Sequence, residues 1–530
     1  HPHPHRPLAP WALAHGLSRM PPSRVVLLPA LLLVLLAPVL PADGAIMAID
    51  FGSRFIKVGM VQKGKPFHIV VDETSKRKTP AIVAIDDGER RFGNGAKSLV
   101  NRKPRQAFEK LRNLLGVSAD SPMLEYFNGA GYPHKPEETE DGRGVLSVEF
   151  PAGGNRTRFS IEQMVAMSLE HIKKICETDA EEPVVDAVIS VPTHWTADQR
   201  RAMMNAGELA GMNVLALINE NTAAAVQHGI DLDYKANTSE YVGIYNMGDS
   251  ATQVSIVKYS SYTKKRGLSN KTVGQVEVLA TETDATLGGE AFDRVIVRKL
   301  VDEFNALARD KGNRDYDCAS SPRTMAKIRA AANKAKHVLS ANQEVPIYIE
   351  SLALDIDFKS QLTRTDFYGL CEGLLDRITP PLARALTSTG LEASQLKTTL
   401  VIGGSVRIPA VQERLREALG GRDALGYSLD GDEAVALGSA FVAANLSTAF
   451  RVRPVGLVER SAHEIRIDID TPAEAVGADE EGGAGAEVLP AFHKTTKLFT
   501  RETRVGSKKS VNFRHDRDVQ IRVSYAPAAA

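Results

Sequence analysis

The chain has 530 residues, and its 65 basic and 65 acidic side chains give a formal net charge of zero. A chain of this length exceeds a single simple core, so several packed lobes are expected. The balanced charge and the lack of a basic stripe argue against nucleic-acid binding, because neutralising phosphates requires a local excess of Lys and Arg.

The first 44 residues differ in composition from the rest of the chain. Residues 1–19 are rich in Pro and His and do not begin with Met, so we interpret them as doubtful upstream sequence. From Met20, a short basic stretch is followed by an apolar run over 25–40 and then by small residues, which is the layout of a signal peptide over 20–44. The run is shorter than the roughly 20 apolar residues that span a bilayer. We therefore expect cleavage, no membrane association afterwards, and residence in the endoplasmic reticulum lumen.

Other local patterns bear on the compartment. The chain contains four glycosylation sequons, which begin at Asn155, Asn237, Asn270 and Asn445. They fit lumenal exposure, although about two would arise by chance. The three cysteines follow no ligand spacing, which favours buried free thiols over a zinc site or a disulfide framework; they are Cys176, Cys318 and Cys371. The last residues carry no retention tetrapeptide, so a lumenal resident is expected to continue beyond residue 530.

Strands and helices alternate from residue 45 to about 450, which predicts a layered α/β domain. Capping boxes predict helices after Ser160 and Thr196, and an apolar run predicts a buried strand over 184–191. A second buried strand over 398–402 runs into a Gly-Gly turn and a helix from about Ile408. Helical patterns over 322–340 and 363–388 predict a separate, mobile lobe.

After residue 450 the pattern changes to alternating segments. Residues 463–470 and 519–525 predict strands, and a loop rich in Gly, Ala and acids lies between them over 471–487. We predict that 451–530 is the incomplete start of an all-β domain, a β-sandwich of the substrate-binding kind.

One strand–turn–strand segment occurs twice. Each position of the first copy returns 196 residues later (246 − 50): Asp50 at Asn246, Gly52 at Gly248 and Val58 at Val254. This duplication suggests two half-domains that each lend a turn to one ligand. Glycines beside strand ends let backbone N–H groups approach phosphate oxygens, but any one such turn is weak evidence of a nucleotide site.

Seven motifs in order make the chain resemble the ATPase domain of the heat shock protein 70 family from residue 45 to about 450. They are Ala48-Ile-Asp-Phe-Gly52, Ile189-Ser-Val-Pro192, Ile218-Asn-Glu-Asn-Thr-Ala-Ala-Ala225, Leu287-Gly-Gly-Glu-Ala-Phe-Asp293, Lys336-His-Val-Leu-Ser340, Gly403-Gly-Ser-Val-Arg-Ile-Pro409 and Asp432-Glu-Ala-Val-Ala-Leu-Gly438. Asn221 stands where common members have proline, and no acidic, leucine-rich linker follows Phe450. Together with the signal peptide, these features resemble the large lumenal branch of the family.

The resemblance implies a two-lobed, actin-like α/β fold, a duplicated ribonuclease H-like motif that closes on ATP or ADP and magnesium. It places Gly52, Ser53 and Arg54 in the first phosphate loop and Gly248 in the second. It assigns magnesium, through water, to Asp50, Glu220 and Asn246. It assigns adenosine to Gly289, Lys336, His337, Ser340, Gly404, Ser405, Arg407 and Asp432. The family's lysine near the attacking water corresponds to Arg112 by spacing, or to Lys110 if the helix is shifted, and Arg112 completes a degenerate catalytic set with Asp50, Glu220 and Asn246.

Departures from the family pattern cluster where hydrolysis would occur. By the resemblance, Asn246 replaces an aspartate, Gln253 a second acid, Ala251 a hydroxyl residue and Arg54 a threonine. An amide oxygen accepts a hydrogen bond but cannot accept a proton, and losing a positioned proton acceptor costs on the order of 10² to 10⁴ in rate. Losing one polar contact of many changes nucleotide affinity far less. At His337, where the family often stacks arginine on adenine, a neutral imidazole can stack, but a solvated helix residue is an equal interpretation.

The leading hypothesis is a lumenal chaperone-system protein in which ATP shifts a two-state equilibrium and hydrolysis is weak or absent. By resemblance, its partners are unfolded clients and the main lumenal heat shock protein 70 chaperone, whose ADP release it promotes. The alternatives are a fully active ATPase chaperone, a sugar kinase of the same fold and a scaffold that binds no nucleotide. The sugar kinase lacks support because no sugar-binding motif accompanies the fold.

Overall fold

The computed structural model describes residues 44–139, 146–152, 155–235, 238–266, 269–421, 424–476, 487–513 and 518–526. The predicted signal peptide, apart from Gly44, and the sequon asparagine Asn237 lie outside these ranges. Within them, no helix has the length and apolar character needed to cross a bilayer.

The first half-domain begins with an antiparallel hairpin and ends with a helix. Its described strands are β1 (Ile46–Phe51), β2 (Phe55–Val61), β3 (His68–Ile69), β4 (Thr79–Pro80), β5 (Ile82–Asp86), β6 (Glu89–Phe92), β7 (Ala107–Glu109), β8 (Glu137–Glu138), β9 (Leu146–Ala152), β10 (Asn155–Ser160), β11 (Asp186–Val191) and β12 (Asn213–Asn219). Its described helices are α1 (Gly93–Lys97), α2 (Pro122–Asn128), α3 (Ile161–Ala180), α4 (Ala197–Leu209) and α5 (Glu220–Ile230). The main sheet has the order β12-β11-β1-β2-β3.

The second half-domain repeats this plan. Its described strands are β13 (Glu240–Met247), β14 (Thr252–Arg266), β15 (Ser269–Asp284), β16 (Glu344–Ala353), β17 (Ile356–Thr363), β18 (Thr398–Ile402) and β19 (Leu425–Gly426). Its described helices are α6 (Gly289–Asp310), α7 (Pro322–Leu339), α8 (Arg364–Leu370), α9 (Glu372–Leu375), α10 (Pro380–Thr389), α11 (Pro409–Ala418) and α12 (Ala434–Leu446).

The two main sheets match strand by strand. β1 pairs antiparallel with β2 and parallel with β11, as β13 pairs antiparallel with β14 and parallel with β18. The register also matches, since Asp50 lies opposite Lys57 and Asn246 lies opposite Gln253. The prediction of a duplicated, actin-like α/β fold is therefore confirmed.

Two helices rich in small residues join the half-domains. An added Cβ at Gly438 in α12 would lie 1.8 Å from the carbonyl oxygen of Ala223 in α5, so the two helices cross in direct backbone contact. Both contribute buried alanines to one cluster that also includes Ala48 of β1 and Ile244 of β13. This close packing brings the ends of β1 and β13 to the same cleft.

The capping predictions are confirmed and two boundary predictions change. Ser160 and Gln163 form a reciprocal capping box at the start of α3, and Thr196 and Gln199 form one at α4. The strand predicted from residue 184 begins at Asp186. The helical pattern over 363–388 is split into α8, α9 and α10, because Pro380, which lacks a backbone N–H, begins a new helix.

The helices predicted as a separate lobe share a core with the second sheet. Leu339 of α7, Phe367 of α8 and Leu382 of α10 belong to the same buried cluster as Tyr245 of β13 and Val401 of β18. Cys318 and Cys371 are buried free thiols in this cluster, and Cys176 is one in the first half-domain, as expected.

The strand β20 (Val455–Val458) lies beyond the domain boundary predicted at 450. It pairs parallel with β15, so the second sheet extends past the residue where the first domain was expected to end. An edge strand leaves backbone N–H and C=O groups unpaired, and β20 pairs with those of β15. The remaining described strands are β21 (Ile465–Thr471), β22 (Glu474–Val476), β23 (Glu487–Leu489), β24 (Phe492–Phe499) and β25 (Gln520–Tyr525). They form a three-stranded sheet, β24-β21-β25, and the pair β22-β23.

Candidate functional site

A cleft of about 660 Å³ lies between the two half-domains, where the tips of both hairpins meet. It brings together most of the residues that the sequence assigned to nucleotide. Its lining includes Asp50, Gly52, Ser53, Arg54, Arg112, Glu220, Asn246, Gly248, Lys336, His337, Ser340, Gly404, Ser405, Arg407 and Asp432. Gly289 is not part of the lining, but its carbonyl oxygen accepts a hydrogen bond from Lys336 Nζ at 2.8 Å.

The first hairpin turns tightly over Gly52, Ser53 and Arg54. The backbone N–H of Gly52 donates to the carbonyl oxygen of Phe55 at 3.1 Å, and an added Cβ at Gly52 would lie 2.4 Å from that oxygen. Only glycine therefore fits this turn without displacing backbone. The turn places the carboxylate of Asp50 at the cleft floor, where it accepts a hydrogen bond from Ser190 Oγ at 3.3 Å.

Asp50 forms an ion pair that sequence reasoning missed. Lys57 Nζ lies 2.5 Å from Asp50 Oδ2, and the side chains are 15% and 6% exposed. Residues directly opposite on antiparallel strands point to the same face of the sheet, so Lys57 faces the cleft with Asp50. The 196-residue offset aligns Lys57 with Gln253, but it does not show the contact between Lys57 and Asp50.

The second hairpin presents amides at the same two positions. No side-chain hydrogen bond joins Asn246 to another residue in the described part of the chain, and the amide is 7% exposed at the cleft. Gln253 Oε1 accepts from the backbone N–H of Thr193 at 2.8 Å, and its Nε2 donates to Glu220 Oε2 at 2.5 Å. The second acid of the family pattern is thus replaced by an amide that restrains Glu220.

Of the two candidates for the family's lysine, Arg112 is the one that lines the cleft. Its Nη2 forms a short hydrogen bond with Glu220 Oε1, and its guanidinium lies 5.7 Å from the ring centroid of Trp195. Lys110 points elsewhere and pairs with Asp249 at the tip of the second hairpin.

The hairpin tips contact each other directly. Ser53 Oγ and Ser250 Oγ are 2.5 Å apart, and both hydroxyls bond the side chain of Asn113 at 2.9 Å. Arg54 lies 3.5 Å from Asp249 and 3.6 Å from Asp293, which belong to the opposite half-domain. These contacts lie in the space where the resemblance to the heat shock protein 70 family places the nucleotide phosphates.

Asp249 is a second residue that the sequence argument missed. Burial raises the pKa of its carboxyl, but Lys110 and Arg54 outweigh burial, so the pKa lies below its usual range. Burial opposes the charge of Arg54 as well, yet Asp249 and Asp293 raise its pKa. An ionised acid therefore stands at the tip of a loop that would receive anions.

The predicted adenosine side is built around the start of α6 and the end of α7. Gly289 packs closely against two side chains there, because an added Cβ would lie 2.5 Å from Ser405 Oγ and 3.1 Å from Lys336 Nζ. Ser405 Oγ donates to the carbonyl oxygen of Gly248 at 2.7 Å. Burial lowers the pKa of Lys336, partly offset by Asp293, whose Oδ1 lies 2.8 Å from Lys336 Nζ.

The outer rim of the cleft carries exposed and half-buried polar groups. Arg407 Nη2 and Lys78 Nζ each lie 2.9 Å from Asp432 Oδ2, and Ser340 Oγ donates to the Lys336 carbonyl at 3.2 Å. His337 is exposed on α7. Partial burial, followed by the Lys336 charge, lowers the pKa of His337, so its imidazole is neutral at pH 7.

The cleft residues do not fit a magnesium ion held by protein carboxylates. Magnesium uses oxygen ligands and is usually held by one or two carboxylates together with substrate phosphates. Here Asp50 is neutralised by Lys57, Glu220 is engaged by Arg112 and Gln253, and position 246 is an amide. In the described residues, no group of three His, Cys, Asp or Glu side chains could hold a metal ion.

The three sequon asparagines within the described ranges lie in regular elements. Asn155 is in β10 and Asn270 is in β15. Asn445 is exposed in the last turn of α12, where its Nδ2 donates to the carbonyl oxygen of Phe441 at 3.0 Å. Glycosylation at these positions stays a prediction.

Comparisons with known proteins agree with the motif order. A family profile described as Hsp70 protein matches residues 46–496. The chain is 33% identical over 518 residues to hypoxia up-regulated protein 1 of Homo sapiens, covering 97% of this chain and 50% of that protein. It is 34% identical over 497 residues to heat shock 70 kDa protein 17 of Arabidopsis thaliana, covering 93% of this chain and 54% of that protein. The chain therefore spans about half the length of these curated relatives.

Proposed function

The chain belongs to the heat shock protein 70 family, and we propose that it binds ATP and ADP as a conformational signal while hydrolysing ATP slowly or not at all. The observation that carries this proposal is the second hairpin, which keeps its geometry but has amides at Asn246 and Gln253. Neither amide can accept a proton from an attacking water.

Nucleotide binding is supported by features that do not depend on the missing acids. The glycine turn at Gly52, the Lys336 ammonium held over Gly289 and the polar rim at Arg407 all face one cleft. Glycine turns admit phosphate oxygens to backbone N–H groups, and lysine recognises phosphate as a point charge. Binding free energy spread over many contacts survives the loss of one or two acids, whereas proton transfer does not.

The test compares turnover with binding in matched variants. We expect the purified chain to bind ATP by calorimetry and to release phosphate at background rate, and Asn246→Asp to raise turnover. Asn246→Gln is the control, because it alters side-chain length without adding an acid and should give no gain. Robust hydrolysis by the unaltered chain that is abolished by Asp50→Asn would contradict the proposal.

A fully active ATPase is the second candidate, because the Glu220 carboxylate and the Arg112 guanidinium are both retained in the cleft. It predicts turnover in the unaltered chain. Under this candidate Asn246→Asp brings no gain, since Asn246 is then not the limiting defect.

We also propose the compartment and partners. The signal-peptide pattern over 20–44 supports residence in the endoplasmic reticulum lumen. Similarity to hypoxia up-regulated protein 1 supports a role in the stress response and in protein folding, with unfolded clients as partners. The main lumenal heat shock protein 70 chaperone is the proposed partner in nucleotide exchange.

The exchange activity has a direct assay. The purified chain is added to the lumenal chaperone loaded with fluorescent ADP, and release is followed by the loss of fluorescence. We expect faster release in the presence of this chain than with an equal amount of albumin. Equal release rates would contradict the exchange role and leave nucleotide binding by this chain unaffected.

A further inference from the structure

Lys57 places a fixed positive charge on the cleft side of the first hairpin. It lies directly opposite Asp50 on β2, while its neighbours Ile56 and Val58 point away into the core and are 2% and 5% exposed. The alternation of side chains along a strand therefore leaves Lys57 no other direction than the cleft.

The ammonium of Lys57 occupies the neighbourhood that a hydrated divalent cation would share with Asp50. Its Nζ lies 2.5 Å from Asp50 Oδ2, a charge-assisted contact between two largely buried groups. The other Asp50 oxygen accepts from Ser190 Oγ at 3.3 Å. Asp50 therefore has a protein partner on each oxygen and no net negative charge to offer to a metal ion.

The charges that line the cleft nearly balance. In the lining, six Lys and Arg side chains face five Asp and Glu side chains; they are Arg54, Lys57, Lys78, Arg112, Lys336 and Arg407 against Asp50, Asp198, Glu220, Asp249 and Asp432. Position 246 adds no negative charge. The lining thus carries one more basic than acidic side chain, so added phosphates do not meet a surplus of carboxylates.

We propose that Lys57 neutralises Asp50 as a divalent cation would otherwise do, so that nucleoside diphosphates and triphosphates bind this chain without a divalent cation. The inference rests on the proposed function, because it concerns how the same cleft holds its nucleotide. It assigns to Lys57 the role of a specificity-determining residue that selects metal-free nucleotide. It also accounts for the retention of Asp50 in a cleft without a metal site, since Asp50 holds the ammonium in place.

The experiment is calorimetric titration of the full purified chain with ADP and with ATP, in buffer containing Mg²⁺ and in buffer containing EDTA. We expect the two buffers to give dissociation constants within about threefold of each other, because no protein–metal contact is lost. Lys57→Met should bind about 10- to 100-fold more weakly than the unaltered chain in EDTA, the loss of one charge-assisted contact. Mg²⁺ should restore much of this loss, because the freed Asp50 carboxylate can then hold a hydrated ion.

Two further variants control for charge and for position. Lys57→Arg keeps a positive charge opposite Asp50 and should keep binding independent of Mg²⁺. Lys63→Met removes a lysine from the exposed turn after the same strand and should leave both dissociation constants unchanged. Far-ultraviolet circular dichroism of each variant checks that it is folded.

A double variant keeps the test decisive if Lys57→Met does not fold. Asp50→Asn with Lys57→Gln gives the first hairpin the amide pair that the second hairpin already carries at Asn246 and Gln253. It should bind ATP at least about tenfold more weakly in both buffers, because it has neither the ammonium nor an acid for Mg²⁺. Unchanged affinity in EDTA would contradict the role of Lys57.

The outcomes separate this inference from the proposed function. If the unaltered chain binds ATP in Mg²⁺ but loses tenfold or more of its affinity in EDTA, the inference is wrong and nucleotide binding stands. If Lys57→Met binds as tightly as the unaltered chain in EDTA, Lys57 is not the replacing charge. If neither ADP nor ATP binds in either buffer, the proposed function itself fails.

Discussion

The two hairpins of the cleft have the same strand register but differ in the charge of their facing side chains. Asp50 and Lys57 form a largely buried ion pair in the first hairpin, whereas Asn246 and Gln253 are uncharged at the same register positions in the second. Each pair has zero net charge. In the first, the Lys57 ammonium compensates the Asp50 carboxylate, and in the second neither side chain is charged. The comparison shows that the same hairpin register is kept whether the facing side chains are a charged pair or two amides.

The largest expected difference between the two hairpins arises at their turns and concerns the free energy of unfolding. An added Cβ at Gly52 would lie 2.4 Å from the Phe55 carbonyl oxygen, whereas at Gly248 the nearest such atom, the Ala251 oxygen, is 3.8 Å away. We expect Gly52→Ala to lower the free energy of unfolding by about 1–3 kcal/mol, the usual cost of overpacking. Gly248→Ala, the matched control, should change it by no more than about 0.5 kcal/mol.

Denaturant unfolding of both variants, followed by tryptophan fluorescence, measures this difference. Equal losses in the two variants would mean that the turns are constrained alike. That result would remove the steric part of the contrast between the hairpins.

A smaller effect, on the affinity for ATP, is expected from replacing Asp249 at the tip of the second hairpin. Asp249 is ionised and lies, with its side chain 11% exposed, between Lys110 and Arg54. We expect Asp249→Gly to tighten ATP binding by about tenfold, because a carboxylate near the phosphates is removed and two cations are released to meet them. Calorimetry measures the change, and Asp315→Gly, in an exposed loop, is the control. Weaker binding in Asp249→Gly would show that Asp249 orders the cleft rather than opposing the ligand.

The smallest expected effect is a dependence of stability on pH, and it arises from His194, which lies beside the second hairpin. Burial, followed by Arg112 and His463, lowers the pKa of His194 from 6.5 to about 3. Below pH 6.5 the unfolded chain binds a proton that the folded chain does not, so this contribution to stability is present above pH 6.5 and is lost as the pH falls toward 3. The loss between pH 6.5 and 5.5 is about 1 kcal/mol.

His194→Gln isolates that contribution, because glutamine does not titrate. Urea unfolding at pH 6.5 and 5.5 should show a smaller decrease in the variant than in the unaltered chain. The same decrease in both proteins would place the acid sensitivity elsewhere.

The sequence predicted the parts of the fold that local chemistry determines. The duplicated frame identified both hairpins, because a strict register needs glycine at the turn and apolar residues at fixed positions. Reciprocal capping at Ser160 and Thr196 predicted the starts of two helices. Local patterns did not reveal that residues 455–458 add a strand to the second sheet, because an edge strand is decided by the partner that it meets.

The sequence placed most site residues in one cleft but could not show how they neutralise each other. Lys57 is unremarkable in a strand pattern, and only the pairing of β1 with β2 brings it to Asp50. Asp249 carries no motif, and its role depends on Lys110, which lies 139 residues away. Charge compensation is a tertiary property, so the ion pairs of the cleft could not be predicted from spacing.

We propose above that this cleft holds nucleotide without turning it over. The most direct measurement titrates ATP into the purified chain by calorimetry, incubates the saturated sample, and identifies the nucleotide in it by chromatography. We expect a heat of binding at a stoichiometry of one ATP per chain and recovery of the nucleotide as ATP. Recovery as ADP and phosphate at a rate that exceeds a no-protein control, or no heat of binding, would contradict it.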